Sequence, residues 1–180
     1  MNKKRIYLIL LVTFLVITSV WSIEFYQNSS IEKVINNQNQ EAIKILEKIE
    51  SHNGVFVIYD TGKYIEGRVL KKGLLGWKIT NSHSPIINGL NFKNSEAMRI
   101  DYIGIMSFDN GGYYFGYVNP KEIDRVKFQY ENFNVSYNIQ SYYWYLPMLP
   151  NQDSGSFKAE QFSVILKNGK EVFYPFEELQ

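Results

Sequence analysis

The strongest constraint on this chain is a run without charge. From Ile6 to Ile23 no residue is ionisable at neutral pH, and Glu24 is the first to interrupt. As a helix these residues span roughly 27 Å, close to the hydrocarbon thickness of a bilayer. Lys3, Lys4 and Arg5 precede the run and no cation follows it closely, so the positive-inside rule puts the N-terminus in the cytoplasm. Trp21 and Tyr26 stand where an outer aromatic belt would lie. The stretch has no polar face, which argues against a buried amphipathic helix and for a membrane anchor carried by Ile6, Leu10, Phe14, Ile17 and Trp21. The rival is a cleaved signal peptide, with Val20 and Ser22 at the −3 and −1 positions and Trp21 between them. Either way, residues 1–30 deliver residues 31–180 to the outside of the membrane.

The delivered part is a folding sequence. Of 180 residues, 45% are hydrophobic and 21% charged, enough for one domain. Three of the 19 basic groups and one of the 18 acidic groups fall in the first thirty residues, leaving 16 and 17, a net charge of −1. Without a basic surplus there is no electrostatic footprint for nucleic acid. No cysteine is present, so disulfides, thiolate metal sites and a lipid-modified cysteine are excluded. Neither a cofactor nor a metal is called for by any motif.

Ser29 and Glu32 have the spacing of a capping box. After them Ile31, Val34, Ile35, Ala42, Ile45, Leu46 and Ile49 recur at helical intervals, and Asn53-Gly54 supplies a stop. The pattern predicts a helix of about 22 residues, roughly 33 Å long, on the flank of a β-rich remainder.

Beyond Gly54 the period becomes two. Val55–Tyr59 and Tyr64–Leu70 read as a hairpin around Asp60-Thr61-Gly62, with a further strand over Leu75–Thr80. Residues 81–95 read as a loop. Strands are expected from Met98 to Phe108, from Tyr113 to Val118 after the turn Asp109-Asn110-Gly111-Gly112, around Val126, Phe128 and Tyr130, and from Val135 to Leu146. A final hairpin joins Phe162–Leu166 to Val172–Tyr174 through Asn168-Gly169, which suits a type I′ turn. The fold class is mainly β (α+β): an antiparallel β-sandwich or partly open barrel with one N-terminal helix on its flank.

Two features could carry binding. Gly73 and Gly76 bracket Leu74-Leu75 in a sharp bend that presents Trp77, and tryptophan is over-represented in recognition hot spots. The plainer alternative is a core tryptophan closing one end of the domain. Tyr142, Tyr143, Trp144 and Tyr145 are adjacent on one strand, so they must point to both faces. Either both faces are covered, with the flanking helix on the second, or one face exposes aromatics to a glycan or protein partner.

The stretch Lys71-Lys72-Gly73-Leu74-Leu75-Gly76-Trp77-Lys78, followed by Tyr102-Ile103-Gly104-Ile105, Gly116-Tyr117-Val118-Asn119 and Ile123-Asp124-Arg125-Val126, resembles small membrane-anchored β-domain proteins of Gram-positive bacteria. The chain differs from them at Ile79, where a second aromatic is expected. The resemblance implies an anchored, exported β domain and no particular chemistry.

Catalytic patterns are sparse. His52 and His83 have no spaced partners, and no nucleophile elbow or zinc motif occurs. Asp101 and Glu66 sit in expected strands, where charges ordinarily line a solvated face. Asp109-Asn110-Gly111-Gly112 lacks the ligand spacing of a calcium loop. The sequence is therefore read as a membrane-anchored, extracytoplasmic, non-catalytic binding or regulatory module of the bacterial envelope. Its partner would be an envelope protein or a glycan. The alternatives are a small envelope hydrolase using Asp101 or Glu66 with His83, and a glycan-binding module.

Overall fold

The computed structural model describes residues 3–38, 43–51, 54–62, 64–80, 87–88, 103–108, 111–130, 132–149 and 159–179. The uncharged run forms α1 (Lys3–Gln27), none of whose side chains is buried against the rest of the chain. It is apolar on every side, with a mean hydropathy of 2.4 over its best window. A helix of that kind and length can cross a membrane or act as a signal anchor.

The predicted 22-residue helix is shorter than its spacing suggests. Among its described residues only α2 (Ile31–Gln38) is helical, and Lys44–Ser51 is a strand, β1. Its cap also differs from the expected one. The Lys33 amide donates to Ser30 Oγ (3.3 Å), while Ser29 Oγ donates back to the Tyr26 carbonyl (2.8 Å) at the end of α1. Ser30 thus caps α2, and Ser29 satisfies a carbonyl that α1 leaves open.

The remaining strands are β2 (Gly54–Asp60), β3 (Tyr64–Gly73), β4 (Gly76–Ile79), β5 (Ile87–Asn88), β6 (Ile103–Phe108), β7 (Gly111–Tyr117), β8 (Ile123–Tyr130), β9 (Phe133–Asn138), β10 (Tyr143–Pro147), β11 (Phe162–Leu166) and β12 (Glu171–Phe173). Among the described residues every strand pairing is antiparallel: β1-β2-β3-β4 with β5 on β3 form sheet A, β10-β7-β6 form sheet B, and β12-β11-β8-β9 form sheet C. Among the described residues the sheets do not close into a barrel.

A bulge explains why β1 looks helical in sequence. Ile45 pairs with Tyr59 and Glu47 with Ile58, so Leu46 is the extra residue. Ile45 therefore shares the face of Tyr59, whereas Ile49 shares that of Phe56. A spacing of four that would give one helical stripe here serves two opposite faces of a strand.

The expected strand Val135–Leu146 is two strands in different sheets. β9 pairs with β8, and β10 pairs with β7. The chain turns the corner at Ile139–Tyr142, where the Ile139 amide donates to the Asp124 carbonyl (2.8 Å) and the Val118 amide to the Tyr142 carbonyl (3.0 Å). At Asn168-Gly169 the turn also differs from the expected type I′. The Gly169 amide donates to the Leu166 carbonyl (2.9 Å), and Gly169 carries the positive φ of 86°. That is the three-residue loop in which a glycine bulge follows a type I turn.

Three cores separate the layers. Ile31, Val34 and Ile35 of α2 pack on Val57, Tyr59 and Leu70 of sheet A. The opposite face of sheet A presents Phe56, Ile58, Ile65 and Val69 to Phe115 and Tyr117 of sheet B. The other face of sheet B presents Tyr114, Trp144 and Leu146 to Val126, Phe128, Phe162 and Val164 of sheet C. Sheet B is thus covered on both faces. Gly67 makes the contact between A and B close: a Cβ there would lie 2.7 Å from the Phe56 ring and 2.9 Å from that of Phe115.

Candidate functional site

The two expected aromatic features part company in the structure. Trp144 is fully buried, its indole N–H donates to the Tyr117 carbonyl (3.2 Å), and its ring lies 5.5 Å from that of Phe162. It is a core residue of the B–C layer and presents no surface to a partner. Tyr142, Tyr143 and Tyr145 are half-buried and pack against the A–B core. This face of β10 is covered by sheet A, not by the flanking helix.

Two of these tyrosines tie the sheets together through their hydroxyls. Tyr142 donates to Asp60 (3.0 Å) and Tyr143 to the Leu46 carbonyl (3.1 Å). Burial, then the Asp60 hydrogen bond, push the Tyr142 phenol up to about 12. The rings meet edge-on, at 73° for Tyr142 with Tyr143 and 71° for Tyr113 with Tyr145, so they do not form a flat stacking platform.

Glu66, a candidate acid in the hydrolase reading, is buried on the α2 side of sheet A. Its carboxylate accepts from the Tyr59 hydroxyl (2.6 Å) and from Arg68 Nη2 (3.1 Å). Tyr59 faces it directly in the β2–β3 register. Desolvation and the bond to Glu66 raise the Tyr59 phenol to about 12. Such a carboxylate, neutralised by a cation and held by a phenol, is a cross-strand tie, since a buried charge persists only when paired and hydrogen-bonded. Asp101, His83 and His52 lie outside the described residues.

Trp77 has a different setting. The β3–β4 turn meets the end of α1, where the Trp77 amide donates to the Asn28 carbonyl (2.7 Å). The approach is possible because residue 76 is glycine. Gly76 has φ +97°, and a Cβ on it would lie 2.2 Å from that same carbonyl oxygen. Beside this junction is a groove of about 520 Å³ lined by Glu24 and Asn28, by Val34 of α2, and by Leu74, Trp77 and Ile79. Trp77 packs against the α2 core and is half-buried. At the tip of the turn Leu74 is 94% exposed, more than any other large apolar side chain among the described residues.

No protein-family model, curated protein or solved structure matches the chain. The site's own geometry is therefore the guide to its chemistry.

α2 is fixed beside this groove by contacts from its first turn. Lys33 Nζ stands 3.3 Å over the Tyr26 ring and donates to Ser29 Oγ (3.0 Å). Glu32 pairs with Lys48 of β1, a bond that holds its carboxyl below the usual range. The groove is thus walled by elements that are pinned to one another, with Trp77 on its inner side. In the sequence Trp77 is marked by its glycine bend. Asn28 carries no such mark, because its part depends on where α1 ends in space.

Proposed function

We propose that this chain is a membrane-anchored, non-catalytic binding or regulatory module of the bacterial envelope. Residues 1–30 hold it in the membrane with the N-terminus inside, and residues 31–180 form the extracytoplasmic domain. Its three stacked antiparallel sheets are best read as a layered sandwich. Release after cleavage near Ser22 is the alternative fate of the same leader. The reading agrees with the resemblance to small membrane-anchored proteins of Gram-positive bacteria.

The observation that carries the proposal is the groove beside Trp77, a partly open aromatic set in a concave surface at the junction of anchor and domain. Concave sites lined mainly by apolar groups with a few polar ones are the usual form of a binding site. The engagement of Glu66 by Tyr59 and Arg68 favours binding over hydrolysis.

The test is cross-linking in intact cells of full-length tagged protein, with Trp77→Ala in parallel. A specific cross-linked species that disappears in the variant, while the variant keeps its thermal transition, supports the reading. A cross-linking pattern indifferent to Trp77 would remove the groove as the site.

A further inference from the structure

The β3–β4 turn combines three properties that its role in the fold does not demand. It carries a leucine, Leu74, at its tip with 94% of its surface exposed. It is flanked by the exposed cations Lys72 and Lys78. It is pinned by its backbone to Asn28, the residue that follows α1. Leu74 and Glu24 line the same groove, and Glu24 is the residue at which the uncharged run ends. The tip therefore stands beside α1 at the level where hydrocarbon would give way to headgroups.

We infer that the Leu74-Leu75 turn is a second membrane contact. In it Leu74 enters the outer leaflet beside the anchor, and Lys72 and Lys78, on opposite faces of the hairpin, meet anionic phospholipid headgroups on either side of the turn. The inference rests on the anchored reading and names the partner of that groove as an anionic lipid surface. Each element suits that partner. An exposed leucine gains from apolar surroundings, lysines near an anionic surface are attracted to it, and a tryptophan is favoured at the interface level. The contact is also continuous with the anchor, so little further orientational freedom is lost when it forms. With two points fixed, the helix and the turn, the domain is held in one orientation over the bilayer and does not swing on residues 28–30.

The chain has no cysteine, so single labelling sites are clean. Full-length protein carrying an environment-sensitive fluorophore at Leu74→Cys, Val16→Cys or Asn134→Cys would be reconstituted into bilayers containing nitroxide-bearing lipid. The bilayers would hold phosphatidylcholine with or without phosphatidylglycerol. Val16 reports the anchor, and Asn134 lies in sheet C, which shares no core with the helices. The expected result is quenching at Val16 in all bilayers and none at Asn134. At Leu74, quenching should be strong with phosphatidylglycerol, weaker without it, and weaker again in Lys72→Glu/Lys78→Glu. Quenching at Val16 without quenching at Leu74 overturns the inference and leaves the anchor intact. Absence of quenching at Val16 overturns both. Quenching at Leu74 that ignores lipid charge and both substitutions would overturn the assignment of anionic headgroups.

Discussion

Replacing Gly76 by alanine should release the β3–β4 turn from the end of α1 without unfolding the domain. The new Cβ would start 2.2 Å from the Asn28 carbonyl oxygen, against a practical minimum of 3.0 Å, so the two backbones must separate by about 0.8 Å. The Trp77–Asn28 hydrogen bond, 2.7 Å now, would stretch to roughly 3.5 Å and be lost as a bond. That loss costs about 1 kcal/mol. Holding an L-residue at a φ of +97° costs about 1–2 kcal/mol more. A local penalty of about 2–3 kcal/mol corresponds to roughly 30- to 150-fold faster opening-limited exchange of the Trp77 amide. Native-state hydrogen exchange on full-length protein would measure it, with amides of β7 as the unaffected reference. Gly73→Ala is the control, because a Cβ there meets nothing nearer than 3.9 Å. Unchanged protection of Trp77 in Gly76→Ala would refute the argument that glycine permits the docking.

Three further outcomes are expected from the layers. Gly67→Ala should destabilise by about 1–3 kcal/mol in a thermal melt. The rings it would strike cannot recede, Phe56 being stacked on Tyr113 at 4.8 Å and packed on Phe115 at 5.8 Å. Trp144→Ala should cost about 3–5 kcal/mol in denaturant unfolding, and Trp77→Ala about half of that or less because its ring is partly open; equal costs would contradict the separation of core from groove. In alkali the domain should lose stability between about pH 10 and 12. The phenols of Tyr59, Tyr114, Tyr137 and Tyr142 are raised from 10.0 to about 12, mainly by burial. A raised folded-state value means the contribution is whole below pH 10 and lost as pH climbs through 12. Tyrosinate absorbance that appears smoothly around pH 10, with no unfolding step, would contradict it.

The strands that the sequence marks well are those solvated on one side. In β8, Val126 and Phe128 are buried while Arg125 and Lys127 are only partly so, and that alternation is visible in the residues themselves. The hairpin β2–β3 is equally legible, because its turn residues fix its register. β1 is not, since a bulge at Leu46 turns a helical spacing into a two-faced strand. Nor is the corner at Ile139–Tyr142, where neither glycine nor proline marks the passage between sheets. The aromatic side chains of β10 pose the opposite problem. Alternation says they point to both faces, but only the position of sheet A over sheet B shows that both are covered. The tie between Glu66, Tyr59 and Arg68 depends on cross-strand register, which no single segment encodes. Trp77 stands out because a glycine on each side of two leucines announces a tight bend. The groove itself needs the end of α1 to be located.

The anchored topology underlies every functional reading of this chain, and cysteine accessibility in intact cells puts it to the proof. Single cysteines would be placed at Lys4, before the uncharged run, and at Asn134, exposed on β9. Both would be challenged with a membrane-impermeant maleimide before and after permeabilisation, in the membrane fraction and in the medium. With the N-terminus inside and the domain outside, Asn134→Cys is labelled on intact cells, Lys4→Cys is labelled only after permeabilisation, and both sediment with membranes. Labelling of Asn134→Cys only after permeabilisation, or its recovery in the medium without residues 1–22, would contradict that topology.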